Sequence, residues 1–111
     1  MVLSRCYRKN TVKTMKLDIP LRVGDAEIKV VLKTALFREN EVLDGLADLE
    51  NGIIYLLYPQ KRVKNSLLHE ILHVISDVYN AKLTEDQVIL LTVGLRNLFI
   101  DNPSLRFLIK K

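Results

Sequence analysis

The sequence predicts an α+β domain: a small antiparallel or mixed sheet of about three strands, packed on two main helices. Three observations carry that expectation. The N-terminal half alternates apolar and polar residues with a period of two, the mark of half-buried strands. The C-terminal half changes to helical spacing from Ser66 onward. The chain has 111 residues, enough for one hydrophobic core and one domain.

Leu17, Ile19, Leu21 and Val23 share one face of the first expected strand, with Lys16, Asp18, Pro20 and Arg22 on the other. Pro20 has no N–H to give a ladder, which places this strand at an edge or pairs it on one side only. Gly24-Asp25 supplies a turn. Residues 27–35 follow as a second strand, with Ile28, Val30 and Leu32 on one face, so the two read as a hairpin. Residues 36–51 are polar and acidic. Leu43, Leu46 and Leu49 recur every three residues, but Gly45 and Gly52 interrupt them, so a loop with at most a short helix is expected there. Residues 53–58 are apolar on both faces and end at Pro59, the pattern of a third strand. Ser66 to Tyr79 or Asn80 is the first helix. Thr84 is the N-cap of the second, with Gln87 where a capping box needs it. That helix runs to about Ile100, where Asp101-Asn102-Pro103 stops it.

Composition removes several function classes. Apolar residues make up 49% and charged residues 27%, the balance of a soluble globular chain. The net charge is +4, but five of the 17 bases fall in residues 1–16, which contain no acid. The remaining chain holds twelve basic and thirteen acidic groups. The excess therefore belongs to a basic arm, residues 1–15, expected to be flexible, and the domain proper is expected to span 16–111. Met15 fits an alternative start, with the residues before it an upstream extension. The arm lacks aromatic interleaving beyond Tyr7 and any groove-reading motif, which argues against nucleic acid as a partner. The lone Cys6 makes no internal disulfide and suits a reducing, cytoplasmic location. No apolar run approaches about 18 residues, so no membrane span is expected.

The segment that carries chemistry is Leu67-Leu68-His69-Glu70-Ile71-Leu72-His73-Val74. His69 and His73 stand at i and i+4, one turn apart on a single helix face. Two imidazoles so placed converge on one metal ion, Zn²⁺ above all. Glu70 is rotated by about 100° from His69, beside the ion rather than on it. From there it can take a proton from a metal-bound water that attacks a peptide carbonyl. These are the only two histidines in the chain. The helix around them is otherwise strongly apolar, so it is expected to be buried. The alternative, two hydrogen-bonded core histidines with Glu70 paired to a base, would suit an isolated histidine better than this arrangement.

Zinc needs a third protein ligand, and no further histidine exists. The positions where a metzincin would continue hold Ser76 and Tyr79, which excludes that class. A carboxylate remains. Glu85 is favoured over Asp86 for its reach, with Glu39, Glu41, Asp44, Asp48 and Glu50 as more distant alternatives. Glu85 also suits the positive end of a helix on electrostatic grounds alone. His73 stands about 9 Å along the axis before its helix ends, so the turn must fold back, or the helices splay, for Glu85 to reach it.

The order of a hairpin, a polar loop, the strand Asn51-Gly52-Ile53-Ile54-Tyr55, the His-Glu motif, and Glu85-Asp86-Gln87-Val88 opening a last helix resembles the ImmA/IrrE-type metallopeptidase domain. The likeness is to the compact form carried by phages and prophages, and covers roughly residues 16–103. It implies zinc on His69 and His73, Glu70 as general base, and a glutamate third ligand from the second helix. Gln87 stands where some members have Glu, a departure that leaves the third ligand open. The resemblance also implies a protein or peptide substrate, of the regulatory kind such as a repressor. Residues 53–58, with Ile53 and Tyr55, are the expected counterpart of the strand that holds substrate backbone by edge pairing. A different class of function stays open on the same residues: a non-catalytic interaction module that retains the metallopeptidase fold.

Overall fold

Strand formation in this chain begins where alternating apolar residues meet a glycine turn. The computed structural model describes residues 20–109. The basic arm, Met15 and the first four residues of the expected first strand lie outside that range. β1 (Leu21–Val23) and β2 (Ala26–Lys33) form the expected hairpin, turning at Gly24, whose φ of 59° suits a residue without Cβ. β3 (Phe37–Arg38) and β4 (Glu41–Val42) make a separate two-stranded hairpin. β5 (Gly45–Asp48) and β6 (Ile53–Leu57) then pair antiparallel. Their turn is closed by Asn51, whose N–H and side-chain amide donate to the Asp48 carboxylate.

The main sheet has the order β1-β2-β6-β5, with β2 and β6 parallel and the other pairs antiparallel. It is therefore mixed and four-stranded, one strand more than expected, beside the small hairpin. β1 is an edge strand, as Pro20 requires. The expectation of loop or short helix over residues 36–51 is corrected, since the segment holds three short strands and no helix. The reason is local. Gly45 and Ala47 pair opposite Leu56 and Ile54, so the inward positions of β5 carry the two smallest side chains. A strand whose core face is Gly and Ala shows no apolar alternation.

α1 (Val63–Val78) covers one face of the sheet. It begins three residues earlier than its spacing suggests. Val23, Ile28, Val30, Ile54, Leu56 and Val74 form the buried core, and Leu67, Ile71, Ile75 and Val78 of α1 pack against it. α2 (Glu85–Asp101) is capped as expected: Thr84 Oγ1 accepts from the Gln87 N–H, and Gln87 Oε1 accepts from the Thr84 N–H. α2 rests on α1 through the buried Val88 and Thr92, and leaves much of its apolar surface exposed, with Leu90 at 72%. A 3-10 helix, Pro103–Ile109, follows. Among the described residues no helix is long and apolar enough to cross a membrane.

Candidate metal centre

α1 presents His69 and His73 one above the other, as the i, i+4 spacing requires. Their ring centroids are 4.9 Å apart and their Nε2 atoms 3.3 Å apart. At that distance one ring can donate to the other, or both nitrogens can share a cation, depending on the tautomer. Glu85, the first residue of α2, brings its carboxylate to both. Oε2 lies 3.1 Å from His69 Nε2, and Oε1 lies 2.8 Å from His73 Nε2. The ligand atoms of the three residues all fall within 4.8 Å of one another.

The connection between the helices explains how Glu85 reaches back. α1 ends in a Schellman motif. Asn80 adopts φ of 56°, its N–H donates to Asp77 O, and the Ala81 N–H donates to Ser76 O. Lys82 is a second left-handed residue, with φ of 58°. The chain thus doubles back beside the last turn of α1, where the Leu83 N–H donates to the buried Ser76 Oγ at 2.8 Å. Thr84 then starts α2 alongside His73 rather than beyond the end of α1.

Glu70 faces inward toward β5 and is only 8% exposed. Gly45 makes the room for it. A Cβ at that position would stand 3.1 Å from Glu70 Cγ and 3.2 Å from its Oε2. Burial pushes the Glu70 carboxyl above its ordinary range. His69 and His73 pull it back, Glu85 pushes it further up, and the Ala47 N–H favours its anion. A carboxyl so placed, beside two imidazoles and a second carboxylate, can accept a proton from a neighbouring group.

The pairing register of β5 defines the neighbouring surface. The Leu57 N–H donates to Asp44 O, so Leu46–Tyr55 and Asp48–Ile53 are the hydrogen-bonded pairs of this ladder. Gly45 and Ala47 therefore turn their N–H and C=O groups away from β6, toward an edge that no described strand occupies. That edge and α1 border a cleft of about 480 Å³, lined among others by His69, Glu70, His73 and Glu85.

The expected site residues thus divide. His69, Glu70, His73 and Glu85 come together. Asp86 and the acids at 39, 41, 48 and 50 do not join them, and Asp44 lines the cleft apart from the triad. Ile53 and Tyr55 are not brought to the cleft. They lie on β6, whose two edges are taken by β2 and β5, and they alternate with the core residues Ile54 and Leu56. The open edge is one strand over, on β5. Gly45, Ala47 and Ser76 escape sequence reading, although a serine in the apolar stretch of the helix, three residues after His73, is a visible oddity. Asn65, one turn before His69, also lines the cleft, and its Oδ1 is buried without a hydrogen-bond partner among the described residues.

Comparison with protein-family models, with curated proteins and with solved structures gives no match to this chain.

Proposed function

We propose that this chain is a zinc-dependent peptidase of the ImmA/IrrE kind, cutting a peptide bond in a regulatory protein in the cytoplasm. One observation carries the reading: a single carboxylate, that of Glu85, meets the Nε2 atoms of both motif histidines while Glu70 lies buried beside them. The donor set suits zinc. Two imidazoles and one carboxylate are a ligand set of catalytic zinc sites, which leave a further position for water or substrate. Ligands about 2.0–2.1 Å from a tetrahedral ion are separated by roughly 3.3 Å, close to the spacings of the three side chains here. A bound zinc ion supplies Lewis acidity and lowers the pKa of water toward neutrality.

The chain's own residues do the rest. Glu70 accepts the proton of the attacking water on its carboxylate and returns it to the leaving nitrogen. Gly45 keeps that carboxylate unobstructed, and the Ala47 N–H orients it. An extended peptide is held against the open edge of β5, where the Gly45 and Ala47 carbonyls accept its N–H groups.

The test is Glu70→Gln. Zinc binding is expected to persist while hydrolysis of a substrate falls by about 10²–10⁴-fold. Cleavage by the variant at the wild-type rate would refute the mechanism. A wild-type protein that binds zinc yet cuts no peptide would instead favour the non-catalytic interaction module.

A further inference from the structure

The cleft beside the triad is electrostatically lopsided. α2 contributes an apolar wall through Ile89 and Val93. Two arginines from separate elements line the same cleft: Arg62, immediately before α1 and so at the end toward the start of that helix, and Arg38, on β3. The charged groups around them can be named. Asp44 lines the same cleft. Glu41 is the cross-strand partner of Arg38. Lys61 and Lys64 flank Arg62 in sequence, and the first turn of α1 carries no acid. Among the described residues neither arginine forms an ion pair, whereas Arg22, elsewhere, pairs with Glu27. Two guanidinium groups thus line one cleft with their carboxylate-binding capacity unspent. The guanidinium fork matches a carboxylate bidentately.

We propose that Arg62 and Arg38 are specificity-determining residues that bind a carboxylate of the peptide substrate, two or three residues from the bond that is cut. The proposal rests on the peptidase reading. The distance follows from geometry. Arg62 precedes His69 by seven residues, about 10 Å along the helix axis. An extended peptide advances about 3.3 Å per residue, so three residues span that gap, and the long arginine side chain shortens it toward two. The carboxylate belongs to an Asp or Glu side chain or to the C-terminus of the peptide. Among the described residues Arg38 and Arg62 are the only Lys or Arg side chains lining the cleft.

The experiment uses the zinc-loaded Glu70→Gln protein, which holds peptide without consuming it. Fluorescein-labelled eight-residue peptide mixtures are titrated, with one position at a time set to Glu, Gln or Lys, and with either an amidated or a free C-terminus. Fluorescence anisotropy reads the Kd. At one position Glu is expected to bind about tenfold more tightly than Gln, with Lys weaker still. A preference for the free over the amidated terminus, without a side-chain effect, assigns the carboxylate to the peptide end and supports the same site. Adding Arg62→Glu, or separately Arg38→Glu on the other element, should abolish the preference while the far-UV spectrum and melting temperature stay unchanged. Binding that ignores peptide charge, or a preference that survives both arginine variants, would overturn the arginine site while leaving the peptidase reading intact. If no mixture binds and the wild-type zinc protein cuts none, both fall together.

Discussion

Gly45 decides whether Glu70 can sit where it does. An added Cβ meets the Glu70 side chain at 3.1–3.2 Å and Leu56 Cδ2 at 3.3 Å, so even alanine forces its neighbours to move. Gly45→Ala is expected to cost about 1–3 kcal/mol in urea unfolding, the range for overpacking a well-filled site. It should slow hydrolysis more than this stability loss explains. A variant with wild-type stability and rate would mean that the cleft wall is looser than its contacts indicate. Leu56, fully buried opposite Gly45, probes the other side of the same wall, and Leu56→Ala should cost about 2–5 kcal/mol. At this scale the sequence is unevenly legible. His69, Glu70 and His73 are readable because their geometry is local to one helix. Gly45 and Ala47 are not, because their importance comes from a side chain 25 and 23 residues away in sequence and from a ladder register no local pattern encodes.

Among the elements, the connection between α1 and α2 matters most. The capping box of Thr84 and Gln87 is readable, since both partners lie within four residues. The fold-back is not. It depends on two left-handed residues that are not glycine, Asn80 and Lys82, and on Ser76 reaching across seven residues to Leu83. Ser76→Ala leaves that amide without its acceptor, at an expected cost of about 1–3 kcal/mol. Because the same bond sets where α2 begins, zinc affinity measured by chelator competition should also fall, by about tenfold. Unchanged affinity would show that Glu85 is positioned independently of the turn. The edge strand teaches a similar lesson. A continuous apolar run such as Ile53–Leu57 reads as a strand, but only the sheet order reveals that it is internal and that β5 carries the open edge.

At the scale of the whole molecule, the α+β class was legible from the change of period along the chain, while the number and order of strands were not. Crossing from β2 to its parallel neighbour β6 passes through a hairpin and another strand, an arrangement set by long-range packing. The two helices join chiefly through Val88, Thr92 and the His–Glu85 cluster. A metal ion held across that joint would bind the folded chain and not the unfolded one. Zinc at about 1,000 times its Kd would then add about 4 kcal/mol of stability. Chelation should lower the melting temperature of the wild type and leave that of His73→Ala unchanged. The most direct test of the metal centre is elemental analysis of protein purified without added metal, comparing wild type with folded Glu85→Ala. About one zinc per wild-type chain is expected, with most of it lost in the variant. Equal metal content in the two proteins, or none in the wild type even after zinc is supplied, would contradict a centre built from His69, His73 and Glu85.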